Sequence, residues 1–220
     1  SFRSYLFDLL DLTGVRLPRV SVVVPNYNYA KYLQDRLESI AGQSHPVFEV
    51  IVLDDASTDD SRRVIESTAI ELDLNVNVVS NERNSGSAFA QWRRGVELAR
   101  GEFVWIAEAD DLSDAAFLER VLKAFDDPKV VLSYCESRQI DAEGRELTDS
   151  YADYVKDISR VKWRSAYVET SLTEIEEALS TKNTIPNVSS VIFRRESLHG
   201  VLKAHFNWIA SFRNAGDWAT

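Results

Sequence analysis

Methionine is absent from this chain of 220 residues, position 1 included, and cysteine occurs once, at Cys135. A single thiol excludes an internal disulfide framework, and it suits a reducing, cytoplasmic setting. The three histidines, His45, His199 and His205, show no Cys/His ligand spacing, so no zinc site is indicated. No apolar run approaches the ~20 residues that a membrane-spanning helix needs, and the amino terminus carries no signal-peptide pattern. Basic charge is also short: 25 Lys and Arg stand against 35 Asp and Glu, for a formal net charge of -10. The basic residues fall in isolated pairs such as Arg93-Arg94 and Arg194-Arg195, which argues against a nucleic-acid partner or an anionic membrane surface. Glycine is not gathered into a phosphate-gripping turn. The first apolar run is followed by Pro25-Asn26-Tyr27-Asn28, which excludes the glycine-rich turn of a dinucleotide site. The missing methionine is read as the mark of a segment cut from a longer chain with flanking domains.

What is present is a core-forming composition, 45% hydrophobic and 10% aromatic, enough for one domain without disorder. Residues 1–18 carry Phe2, Leu6, Leu9, Leu10 and Leu12 at helical spacing and read as a lead-in helix from a preceding region. Strands are expected at 20–24, 48–53, 75–79 and 103–107, and the nearly continuous apolar character of 20–24 is that of a strand buried on both faces of a parallel sheet. Between them lie helical stretches: one carrying Tyr32, Leu33, Leu37 and Ile40 and closed by Gly42, one opened by Ser57, Thr58 and Asp59, and one at about 87–99. The alternation is that of βαβ units. After residue 112 it loosens. A helix at 113–125, a strand at 129–135 in which Cys135 is buried and inert, a long loop or short antiparallel strands over 141–170, a capping box Ser171-x-x-Glu174, a strand at 188–193 and a helix around 196–213 are expected.

Three of the strands stop in polar clusters: Pro25-Asn26-Tyr27-Asn28, Asp54-Asp55-Ala56-Ser57-Thr58-Asp59 and Glu108-Ala109-Asp110-Asp111. In an open parallel sheet the carboxyl ends of the strands lie along one edge, and ligands bind outside that edge where the strand order reverses. Acids dominate these ends, so a phosphate group bound there needs a divalent cation as a bridge, and carboxylates at a strand end suit a hard cation. A nucleotide-using transferase follows from that pattern. Asp59 is better explained as a helix cap, His45 as a turn residue, and Trp92 serves core and site readings equally.

In their order and spacing, Val20 to Asn28, Val52 to Asp59, Asn84-Ser85-Gly86, Ala99-Arg100-Gly101-Glu102 running into Glu108 to Asp111, and Gly216-Asp217-Trp218 resemble the nucleotide-sugar glycosyltransferases of family 2. The resemblance implies an α/β architecture of GT-A type: a Rossmann-like mixed central sheet, mostly parallel in the first half, with helices on both faces. It divides residues 19–220 into a nucleotide-sugar-binding half, 19–111, and an acceptor half, 112–220, truncated at its end. It implies an inverting glycosyltransferase that uses a nucleoside diphosphate sugar, UDP- or dTDP-linked rather than GDP-linked, with Mg²⁺ or Mn²⁺, on a glycan or lipid-linked acceptor. The nucleotide would be met by Pro25, Tyr27, Asp54, Asp55, Gly86 and Asp110, with Asp55 on the base. The metal would be met by Glu108, Asp110 and Asp111, and Asp217 would be the general base. In the family the acidic motif is Asp-x-Asp, whereas here it reads Glu108-x-Asp110, and Gly216 stands where an acid often precedes the base. A non-catalytic nucleotide-sugar or carbohydrate-binding module of a larger protein is the competing reading.

Overall fold

The computed structural model describes residues 16–209 together with Gly14 and Ser211, so most of the lead-in helix expected over 1–18 and the Gly216-Asp217-Trp218 stretch lie outside the described residues, and 16–18 are not helical. The strands are β1 (Val20–Asn26), β2 (Glu49–Asp54), β3 (Val76–Ser80), β4 (Phe103–Ile106), β5 (Leu132–Tyr134), β6 (Gln139–Ile140), β7 (Glu146–Thr148) and β8 (Val191–Arg194). The helices are α1 (Ala30–Ala41), α2 (Ser61–Glu71), α3 (Ala88–Leu98), α4 (Phe117–Val121), α5 (Ala152–Val155), α6 (Ser171–Glu174) and α7 (Arg195–Ile209).

Six strands form one mixed sheet in the order β3-β2-β1-β4-β8-β5. β3, β2, β1 and β4 are parallel, and β8 runs antiparallel to both β4 and β5. β1 is buried along its whole length because both faces of the sheet are covered. Val20, Val22 and Val24 face a core shared with Leu33, Leu37 and Ile40 of α1, Ile65 of α2 and Phe117 and Leu118 of α4. Val23 faces the opposite core, with Phe89, Trp92 and Val96 of α3 and Leu198 and Leu202 of α7. Close approach of α3 to β1 needs Gly95, since a Cβ at that position would come within 2.3 Å of Val23 Cγ1.

The regular first half follows the pattern read from the sequence, with ends displaced by a residue or two. β1 runs on through Pro25 and Asn26 because Asn26 stays in register with Asp54. Gly42 ends α1 at φ -78, without the left-handed turn of a C′ glycine. The second half departs further. The helix expected at 113–125 begins only at Phe117 and tightens into a 3₁₀ turn at Leu122–Asp126. The cap of α6 is Thr170, whose side chain accepts from Thr173 N, not Ser171, and a π turn over Ile175–Leu179 follows. β5 spans only Leu132–Tyr134, which leaves Cys135 beyond its end and exposed, contrary to the buried thiol expected from its apolar neighbours. Among the described residues no helix is long and apolar enough to cross a membrane.

Candidate active site

The strand order reverses between β1 and β4: β2 and β3 lie on one side of β1, and β4 on the other. The crevice outside the carboxyl ends of β1 and β4 is therefore the place where a ligand is expected, and the three polar strand ends meet there. Asn26 Nδ2 donates to Asp54 Oδ1 at 2.9 Å and to Ser57 Oγ at 3.0 Å. Asn28, in the left-handed region at φ 60, accepts at its Oδ1 from Thr58 N at 2.8 Å. Asp59 accepts from Ala30 N and Ser61 N at 2.9 and 3.0 Å, so one carboxylate tethers the first residues of both α1 and α2. The N-cap of α2 is Asp60, so Asp59 secures the helix from one residue before the cap expected of it. Desolvation pushes its pKa up, but the hydrogen bonds from Ser61 and Ala30 outweigh this and hold the carboxyl below its ordinary range. Pro25 and Asp54 are buried in this layer, whereas Tyr27 is 45% exposed and contributes no core packing, which leaves its ring open to a ligand.

Asp55 is buried and grips the loop after β3. Its carboxylate accepts from Asn81 Nδ2 at 2.6 Å, Ser85 N at 2.9 Å and Ser85 Oγ at 2.7 Å. Gly86 follows at φ 68, and its N–H donates to Asn84 Oδ1 at 2.6 Å, closing a turn that a side chain would strain. Gln91 Nε2 reaches Ser85 Oγ from α3 at 3.0 Å, and Arg94 donates to Asn81. Asp55, the 81–86 loop and α3 thus form one hydrogen-bonded wall of the crevice.

The acidic loop forms the other wall. Trp92 is 4% exposed, and its Nε1–H donates to Glu108 Oε1 at 2.8 Å, so this residue is both core and site. Glu108 N donates to Ser189 Oγ at 2.9 Å, and Trp105 Nε1 donates to Ser189 O at 2.8 Å, tying the loop to the segment before β8. Burial pushes the Glu108 carboxyl up to about 7, with Asp111 and Asp110 adding to the rise and the Trp92 bond and Arg36 opposing it. Asp110 is exposed at the mouth, and its pKa is raised by desolvation and then by Asp111. The charge of Asp110 in turn raises the pKa of the Tyr29 phenol, which places that ring beside the loop.

Among the described residues no group of three or more His, Cys, Asp or Glu side chains gathers to hold a metal ion. Glu108, Asp110 and Asp111, the ligand set that the family resemblance implies, therefore do not converge as three carboxylates in this structure, in which Glu108 is turned to Trp92. Asp110 is exposed at the crevice, which fits a hard cation held by one or two carboxylates and completed by substrate phosphate oxygens.

Sequence reasoning missed Arg36, Tyr29, Asn81 and the partnership of Trp92 with Glu108. Arg36 had a signal: it falls within the apolar stripe of α1, between Leu33 and Leu37, where a charge is out of place. Asn187 and Ser189 hold the site from behind, as Asn187 Oδ1 accepts from Ser189 N at 2.7 Å. His45 is a turn residue bonded to Pro18 O at 2.8 Å, with its pKa lowered by burial.

Comparison with known proteins agrees with this geometry. Glycosyltransferase GlyG of Streptococcus pneumoniae is 36% identical over 100 residues, 46% of this chain and 33% of that protein. The crystal structure of S. aureus TarS 1-349 in complex with UDP superposes with a TM-score of 0.59 at 25% identity, covering 91% of this chain and 53% of that one. The mannosyltransferase PcManGT from Pyrobaculum calidifontis, in complex with GDP-Man and Mn²⁺, gives a TM-score of 0.51 at 28% identity over 62% of this chain and 44% of that one. The chain thus spans between a third and about half of the length of these relatives. These structural neighbours are GT-A glycosyltransferases, the architecture that the mixed sheet reproduces. The model of glycosyl transferase family 2 matches residues 21–200, from β1 into α7, and on that extent the chain belongs to this family.

Proposed function

We propose that this domain transfers a sugar from a nucleoside diphosphate sugar to a glycan or lipid-linked acceptor, with inversion at the anomeric carbon. The observation that carries the reading is the exposed position of Asp110 just past the carboxyl end of β4, at the β1/β4 switch point where the strand ends carrying Asp55 and the exposed Tyr27 also lie. Tyr27 and Pro25 line the base and ribose, with Asp55 on the base side. Gly86 lets the 84–87 turn approach the ligand. Asp110 would hold Mg²⁺ or Mn²⁺ shared with the diphosphate, and a cation there supplies neutralisation of the charge that grows on the leaving group. Asp217 takes the proton of the attacking hydroxyl as general base. The complexes of TarS with UDP and UDP-GlcNAc support a UDP-linked donor over the GDP-linked one of PcManGT. The acceptor half offers a cavity of about 480 Å³ lined in part by Tyr151, Tyr154, Lys182 and Asn183, side chains suited to a sugar ring.

Calorimetric titration with UDP, GDP and dTDP, in Mn²⁺ and then in EDTA, tests the donor site. Metal-dependent binding of one nucleotide, lost in Asp110→Ala, is expected; a folded protein that binds none refutes it. The engagement of Glu108 with Trp92 favours a second reading, a module that binds the nucleotide sugar without turning it over. Binding without acceptor-dependent release of diphosphate would select that reading.

A further inference from the structure

Arg36 is fully buried, and among the described residues no other arginine or lysine is. Its guanidinium lies 4.8 Å from the ring centroid of Trp105, and its Nη1 donates to Ser113 Oγ at 3.0 Å, so it sits directly beneath the acidic loop. Nε and Nη2 are buried with no hydrogen-bond partner among the described residues. Those two nitrogens form one edge of the planar fork, the edge that takes both oxygens of a carboxylate side-on. The group does not escape by losing its proton: burial lowers its pKa only to about 10, which leaves it charged at neutral pH. A buried charge with an open donor edge is costly, so an anion that closes it is favoured.

Arg36 is too deep to meet a substrate, and the anion must come from the chain. Of the nearby acids Asp111 exerts the strongest field on it, ahead of Glu108 and Asp110. Glu108 is engaged by Trp92, and Asp110 stands exposed at the mouth. Asp111 is two residues from Ser113, within ~7 Å of chain, and its backbone N–H closes the turn on Glu108 O at 3.3 Å.

We propose that Arg36 and Asp111 form a latent ion pair: Asp111 closes on the Nε–Nη2 edge when nucleotide and cation engage Asp110. This rests on the donor-site reading above. Arg36 is then a positioning residue for Asp110, and Asp111 is not a metal ligand. Turning the Asp111 carboxylate inward also relieves its repulsion of Asp110, so closing the pair and loading the site favour each other.

The test is a double-mutant cycle with Arg36→Lys, which keeps the charge but lacks the two-pronged edge, Asp111→Asn, and the pair together. UDP affinity in Mn²⁺ is measured by calorimetry, and backbone hydrogen exchange over 109–113 is followed with and without UDP and Mn²⁺. Each single substitution should weaken UDP binding about tenfold and the double no further, as for partners in one interaction. Residues 109–113 should gain protection on loading in the wild type and in none of the variants. Unliganded melting temperatures show whether Arg36→Lys is folded, and Asp111→Asn, at a partly exposed position, carries the test if it is not. Wild-type affinity in Asp111→Asn, or losses that multiply to about a hundredfold in the double variant, overturns the pair while the donor site stands. Absence of UDP binding in the wild type overturns both.

Discussion

Replacing Glu108 by Gln removes one negative charge from the acidic loop and keeps an oxygen for the Trp92 indole N–H, 2.8 Å from Oε1 in the wild type. Burial raises the Glu108 carboxyl from 4.5 to about 7 in the folded protein. Between those two values the folded state holds a proton that the unfolded chain has already released. The protonated carboxyl therefore contributes stability in full below pH ~4.5, and that contribution is lost as pH rises toward ~7. At about 1.4 kcal/mol per pH unit the window amounts to roughly 3 kcal/mol. Glutamine does not ionise, so the variant keeps what the wild type loses.

The assay is urea unfolding of both proteins in EDTA at half-unit steps from pH 4.5 to 8. The variant should match the wild type at the acid end and exceed it by roughly 3 kcal/mol at pH 8. Asp110 is also raised, by desolvation and Asp111, and contributes with the same sign in both proteins. The difference between the two curves is thus the quantity to follow, not the slope of either. Curves that stay parallel across the window would refute the assignment of a raised, buried carboxyl to Glu108.

Two further outcomes follow from packing and from the thiol. Gly95→Ala should destabilise the fold by ~1–3 kcal/mol in the same assay, since its Cβ would fall 2.3 Å from Val23 Cγ1 and force α3 off β1; an unchanged midpoint would contradict that contact. Cys135 is exposed at the end of β5, yet its pKa is raised to about 11, first by desolvation and then by Glu136 and Asp114. Its reaction with a disulfide reagent at pH 8 should be at least ~10-fold slower than that of an unperturbed thiol, and a normal rate would refute the raised value.

The sheet was legible because burial on both faces writes a continuous apolar run, and Val20 to Val24 and Val50 to Leu53 have no reading other than central strands. The crevice was legible for the complementary reason: an apolar strand that ends in Asn26, in Asp54 or before Glu108 brings polar side chains to its carboxyl end, and parallel pairing puts those ends on one edge. The second half resisted because its elements are short and many of its apolar residues, Leu147, Val161, Val168 and Leu172 among them, are exposed and carry no period.

What joins the two walls of the site was not legible by period, because it consists of contacts between residues far apart in the chain. Trp92 reaches Glu108 across 16 positions, and Arg36 reaches Ser113 across 77. Yet Arg36 broke a local rule that could be seen. The stripe of α1 that buries Leu33, Leu37, Ile40 and Ala41 also buries Arg36. An exposed arginine one position away on the helix would have carried no information. A charge inside an apolar stripe must be answered by an opposite charge at the point where the stripe is buried, and the strand that covers α1 there is β4, which runs into Glu108, Asp110 and Asp111. The out-of-place residue on the helix thus called for an anion, and the fold supplies it by setting Arg36 against Trp105 of β4 and Ser113 beyond the acidic loop.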